Sequence, residues 1–207
     1  TAYIVIFATL IATPIGILTA LYIVEVKGRF AGTVRFFVQA MSGVPSIVAG
    51  LFIFAFWMIQ LGNAYSGIAG GFALTVLMIP TVARTSEEVL LLIPNDLREA
   101  GTALGGTQWR TVAMIVLPAA KSGLVTAVIL GVARIAGETA PLLFTALSNQ
   151  FMSRDMNGPM ANLPVVIFQF AASPFPDWNT LAWAGAALIT LLVLSINIVA
   201  RTFFRQK

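Results

Sequence analysis

The sequence predicts an all-helical polytopic membrane protein, and three observations carry that prediction. Hydrophobic residues make up 58% of the chain and charged residues 10%, where soluble domains hold about 45–50% and about 25%. Mean hydropathy is +0.92, and several apolar runs exceed the roughly 18 residues that a bilayer crossing needs. The basic residues also fall on one side of the membrane once the spans are threaded. Net charge +4 and a pI near 10.0 would suggest a nucleic-acid partner in a soluble protein. Here the positional bias accounts for them.

Five spans are expected. The first covers residues 3–24, with Pro14 and Gly16 marking a kink, and a polar link at 25–35 follows. The second covers 36–61 and contains SGVPSIVAG at 42–50. Pro45 removes one backbone donor there, which neighbouring helices or hydroxyls can offset. Ser42, Ser46 and Gly50 are spaced four apart, a small-residue stripe suited to close helix contact. The short link LGNAYSG returns the chain into a third span at 67–86, antiparallel to the second. The fourth covers 119–147 and is broken at Pro141, and the fifth covers 180–201. The chain starts at Thr1 within an apolar run that has no basic leader or small-residue cleavage site, so a missing N-terminal piece is expected.

Cysteine and histidine are both absent. Disulfides, thiolate nucleophiles, histidine metal ligands and histidine proton shuttles are therefore excluded, and no phosphate-binding GxxxxGK[ST] loop occurs. The expectation is a non-enzyme that binds no cofactor itself. Lys27, Arg29, Arg35, Arg84, Arg98, Arg110, Lys121, Arg201, Arg205 and Lys207 thread to one side, Arg154 alone to the other. The positive-inside rule makes that side cytoplasmic, together with the segment at 87–118 and the C-terminus. The outer loop at 148–178 holds LPVVIFQFAA at 163–172, too short to cross. It suits a re-entrant or interfacial segment, with Phe168, Phe170, Phe175 and Trp178 at headgroup depth. A folded cap of no direct function is the other reading.

The segment at 87–118 is a charged, Gly-broken stretch between two spans. Asn95 and Asp96 suit a helix N-terminus, Arg98 to Leu104 continue that helix, and Gly105-Gly106 break it. Thr107 suits the cap of a second helix, which runs until Pro118 opens the fourth span. The expectation is a rigid knob on the cytoplasmic side. Inside the fourth span, Arg134 and Glu138 are four residues apart. At about 100° per residue they share roughly 80° of arc with Gly123, Ala127 and Gly131. A charge at mid-membrane costs roughly 2.5–3.5 kcal/mol on insertion scales, which is tolerated for a reason. Either the two pair as a buried ion pair, or Arg134 offers its planar fork to a passing oxyanion while Glu138 orients and shields it.

Glu99-Ala100-Gly101, then Gly105, then Ile115-Val116-Leu117-Pro118 resembles the EAA loop of ABC importer permeases, with Gly101 where the pattern has alanine. IPTVARTSEEVL at 79–90, RIAGETAPLLFTAL at 134–147 and PMANLPVVIFQF at 159–170 are similar to PstA-type permeases of bacterial phosphate importers. The resemblance implies a MetI-like permease fold in a single domain over 1–207, with the first of six spans missing. It implies a multi-pass protein of the bacterial inner membrane. Its partners would be a related PstC-like permease, a PstB-like ATPase dimer that binds ATP and Mg, and an outer PstS-like phosphate-binding protein. Arg98, Glu99, Ala100, Gly101 and Gly105 would lie at or beside the ATPase, and Arg134, Glu138 and Arg84 along the phosphate path. A simpler role for Arg84 is a positive-inside anchor. The alternatives to phosphate transport are a permease for sulfate or molybdate, and a membrane scaffold or sensor that transports nothing.

Overall fold

A computed structural model describes residues 1–26, 28–151 and 153–204, without side chains at 199–201, 203 and 204. Lys27, Arg205, Lys207 and the side chain of Arg201, all part of the basic bias, lie outside the described residues. The described residues hold helices and no strands. They run as α1 (Ala2–Glu25), α2 (Arg29–Ser42), α3 (Ser46–Ile53), α4 (Gly67–Leu91), α5 (Asn95–Ala103), α6 (Gln108–Thr111), α7 (Leu117–Ala136), α8 (Ala140–Leu143), α9 (Leu163–Ala171) and α10 (Pro176–Phe204). Widened π-helical turns extend α3 over Phe54–Gln60 and join α6 to α7 over Val112–Val116. Four helical stretches are long and apolar enough to cross a membrane, and a fifth if α2 and the bent α3 count as one.

The pair α1–α4 forms the heart of the bundle. On α1 the buried positions Ile4, Ala8, Ala12, Gly16 and Ala20 recur every four residues and form one ridge. A Cβ at Gly16 would lie 2.8 Å from Val82 Cγ1 on α4, so the backbones meet as closely as small residues allow. This ridge does the work expected of Ser42, Ser46 and Gly50. α1 runs unbroken through Pro14, and α4 through Pro80. Helix α4 continues to Leu91, past the expected end at 86, because Ser86 and Leu90 are fully buried and Glu87 pairs with Arg35 of α2 at 2.6 Å. Helix α7 packs on α4, and α10 on α7 and α9.

Two expected spans are corrected. The second is no single helix over 36–61, since α2 and α3 meet at a 101° bend. Pro45 has no N–H and drives the residue before it out of the helical region, so the chain turns at Gly43–Pro45 and the proposed stripe is split between two axes. Beyond the bend, Gly50 sits where a Cβ would be 2.5 Å from Pro141 Cα. The fourth span runs Gln108–Ala136 and ends at Gly137, so it starts before 119, stops short of 147 and does not reach the expected break at Pro141. Pro118 does not separate the knob from the membrane helix. The π-helical turn Val112–Val116 takes up the missing donor and the ring, and the helix passes through.

Hydrogen bonds sort the loops into two ends. At one end Ser66 and Gly67 donate backbone N–H groups to Thr145 and Gly158, Met160 to Ala146, and Thr1 is bonded to Ala161 and Leu163. Asn162, 1% exposed, caps α9 and donates to Leu147 O. Helix α9 fills the short apolar stretch at 163–172, and Phe170 and Phe175 lie against Trp178 of α10. The other end gathers the last turns of α1 and α4 and the whole of α5.

Candidate functional site

The knob forms as a helix, a glycine turn and a second helix. Pro94 occupies the N-cap of α5, so Asn95 and Asp96 fall inside the first turn and do not cap it, although the Asp96 charge suits that end. At the other end, Gly105 N–H donates to Thr102 O and Gly106 N–H to Gly101 O, a Schellman closure. It needs a left-handed residue, and Gly105 has φ +83°. Thr107 then accepts from Arg110 N–H and starts α6. Gly101 is the one buried residue of α5. A Cβ there would stand 2.5 Å from Thr111 Cγ2 and 2.9 Å from Ile115 Cδ1. The departure from alanine in the EAA pattern thus has a cause: α5 lies directly on the opening turns of the next helix.

Arg98 differs from expectation. Its guanidinium turns inward, donating to Glu25 Oε1 at 3.1 Å, to Ile93 O at 2.7 Å and to Leu90 O at 3.1 Å. That positive charge caps the C-terminus of α4, where the helix dipole favours it. Glu99, Ala100 and Gly105 are exposed. The same knob exposes large apolar side chains, Leu104 at 88% and Trp109 at 62%, with Leu92, Leu97 and Met114.

The second region lies on α7. Gly123, Ala127 and Gly131 face α4, with Gly131 against Met78 and Val82. Arg134 stands at the edge of that contact, exposed, and donates from Nη1 to Thr81 Oγ1 of α4 at 3.0 Å. Thr81 donates in turn to Leu77 O. Arg84, exposed, lies one turn further along α4. Glu138 falls beyond the end of α7, half-buried in the turn before α8. The helical face expected to carry both charges therefore holds Arg134 alone. The Arg134–Glu138 ion pair does not form: the two ion pairs among the described residues are Arg35–Glu87 and Arg98–Glu25.

Glu25, Gln108 and Thr81 were missed at the level of sequence. Glu25 carried a usable signal, as the sole charge of a 24-residue run and at its very end. Thr81 and Gln108 carried none that separates them from other polar residues.

The site is thus a polar knob held by hydrogen bonds beneath the ends of two membrane-length helices, α1 and α4. Family comparison gives the class, a transport permease: residues 12–206 match the family described as "Binding-protein-dependent transport system inner membrane component", and the chain belongs to it. Within reach of that family, the chain is 58% identical over 203 residues to the "Phosphate transport system permease protein PstA" of Pasteurella multocida strain Pm70, covering 97% of this chain and 72% of the relative. The protein of the same description from Haemophilus influenzae is 58% identical over 201 residues (96% and 71% covered), and that of Yersinia pestis 50% over 205 (98% and 69%). Among solved structures, the inward-facing MetNI methionine ABC transporter aligns at TM-score 0.74 and 23% identity, over 98% of this chain and 88% of that one. An amino acid ABC transporter crystallised with histidines gives 0.66 at 18%, over 99% and 91%. The expected all-helical MetI-like fold is the fold observed.

Proposed function

We propose that the chain is the transmembrane permease subunit of an ATP-driven phosphate importer of the bacterial inner membrane. One observation carries this: 58% identity along nearly the whole chain to a phosphate permease. Its family acts with a binding protein. The finer reading adds a PstC-like second permease, a PstB-like ATPase dimer holding ATP and Mg, and a PstS-like phosphate-binding protein outside. Residues 1–207 act as one permease domain, and the C-terminus lies in the cytoplasm with the knob. This chain binds the ATPase and hydrolyses nothing itself.

Glu99, Ala100 and Gly105 form the docking face of the knob, helped by the exposed Leu104 and Trp109. Arg98 and Gly101 serve the same event from behind, by fixing α5 in place. Arg134 and Arg84 line the phosphate path along α4 and α7. Both are exposed in this chain, on a surface that a second permease would close. A guanidinium held by the neutral Thr81 keeps its full charge for a doubly charged oxyanion. Glu138 sits at the mouth of that path, where a carboxylate lowers the residence of the anion. Alternating access follows when the ATPases close and carry the knob with them.

Uptake of labelled phosphate by cells carrying the full-length protein tests the assignment, with sulfate and molybdate as competitors. The expected result is phosphate uptake that excess sulfate does not inhibit and that Arg134→Gln abolishes at normal membrane levels. Inhibition by sulfate, or full uptake by Arg134→Gln, would refute the substrate or the site respectively.

A further inference from the structure

Helix α5 buries Gly101 alone, so apolar packing does little to bind it to the bundle. A cavity of about 370 Å³ also opens beside it, lined by Asn95, Thr102 and Thr111 among others. The attachment comes from polar contacts. Arg98 joins α5 to the last carbonyls of α4 and to the carboxylate of Glu25 at the end of α1. Gln108, on the far side of the glycine turn, donates to the backbone carbonyl of the same Glu25 at 2.9 Å. Both halves of the knob therefore grip one residue, one by its side chain and the other by its main chain. The last carbonyls of a helix have no donor of their own, so α1 and α4 both end on donors supplied by the knob. The Glu25 side chain is 6% exposed and that of Arg98 19%, which shields the pair from salt and water.

We propose that Glu25, Arg98 and Gln108 form a latch that carries displacement of the knob into α1 and α4 together. Glu25 is then a positioning residue for coupling. The inference rests on the reading that the knob docks an ATPase. Its particular content is that the polar ties converge on one residue: Arg98 joins α5 to α4 and to the Glu25 carboxylate, and Gln108 holds the Glu25 main chain. Removing the carboxylate charge leaves α5 tied to α4 and leaves α1 held by Gln108 and by its packing on α4, so the path into α1 is loosened. An importer in that state still binds its ATPase and still turns over ATP, but passes on less of the knob's displacement.

The full-length protein, assembled with its partner subunits in proteoliposomes, provides the test. Phosphate uptake and ATP hydrolysis are measured together and normalised to the ATPase retained. For Glu25→Gln we expect hydrolysis within about twofold of wild type and phosphate moved per ATP lower by about tenfold, a coupling loss of ordinary size. Glu25→Asp restores part of it. Gln108→Ala, at an exposed side chain that does not endanger folding, lowers the same ratio by a smaller factor. A ratio unchanged in both Glu25→Gln and Gln108→Ala, or losses that merely follow the amount of assembled complex, overturns the latch. If Glu25→Gln does not assemble, the ratio in Gln108→Ala decides alone. A wild-type complex that retains no ATPase would instead sink the docking reading, and the latch with it.

Discussion

Gly101→Ala restores the alanine of the EAA pattern, yet it is expected to harm this protein. The added methyl would sit 2.5 Å from Thr111 Cγ2, 2.8 Å from Thr111 Oγ1 and 2.9 Å from Ile115 Cδ1. Carbon atoms prefer about 3.5–4.0 Å, so α5 must lift by roughly 1 Å or Thr111 must give way. Thr111 has little room, being 4% exposed at the start of a rigid helix. Overpacking of this kind costs about 1–3 kcal/mol. Its own hydroxyl is buried without a hydrogen-bond partner, so Thr111→Ala removes two of the three clashes and forfeits little, since an unpaired buried hydroxyl is itself a cost. The double mutant should therefore recover most of the stability lost by Gly101→Ala, a coupling of about 1 kcal/mol or more in a double-mutant cycle. Thermal unfolding of the purified importer reads the stability, and phosphate moved per ATP reads the displacement of Glu99 and Ala100. Wild-type stability in Gly101→Ala, or strict additivity in the double mutant, would refute the close seating of α5.

Other substitutions test other contacts. Thr81→Val removes the oxygen that holds Arg134 and should lower uptake by the worth of one hydrogen bond to a charged group, about 1.5–3 kcal/mol or roughly tenfold to a hundredfold, with Thr81→Ser near wild type in the same transport assay. Gly50→Ala drives a methyl to 2.5 Å from Pro141 Cα, a backbone atom that cannot swing aside; a loss of about 1–3 kcal/mol in thermal unfolding should follow. Ser66 caps α4 by accepting from Ala69 N–H at 3.1 Å, so Ser66→Ala should cost about 1 kcal/mol of stability and leave the ratio of uptake to hydrolysis unchanged.

Periodicity and composition made the helical class, the existence of long apolar spans and the glycine turn at Gly105 legible, because each depends on residues close in sequence. What the sequence left hidden depends on a second element. Pro45 looked tolerable within a span, as Pro14 and Pro80 are within unbroken helices. With Gly43 two residues before it, the chain instead turns through 101°. Arg134 and Glu138 satisfied helical spacing, but that spacing applies only within a helix, and Gly137 ends this one between them. Arg98 offered a charge whose direction no local pattern fixes; the carbonyls of Leu90 and Ile93 turn it inward. The small-residue ridge of α1, Ala8 to Ala20, was readable by the rule applied to Ser42 and Gly50 and went unnoticed in a run apolar on every side.

The bareness of α10 has a cellular consequence. Only 6% of its apolar window is covered by the rest of the chain, and Arg134 stands open on α7. An orphan copy, inserted without companions, would present a guanidinium to hydrocarbon at a penalty of roughly 2.5–3.5 kcal/mol. Orphans are thereby marked by their own chemistry. If the second permease proposed above covers that surface, copies made without it carry this cost and assembled copies do not.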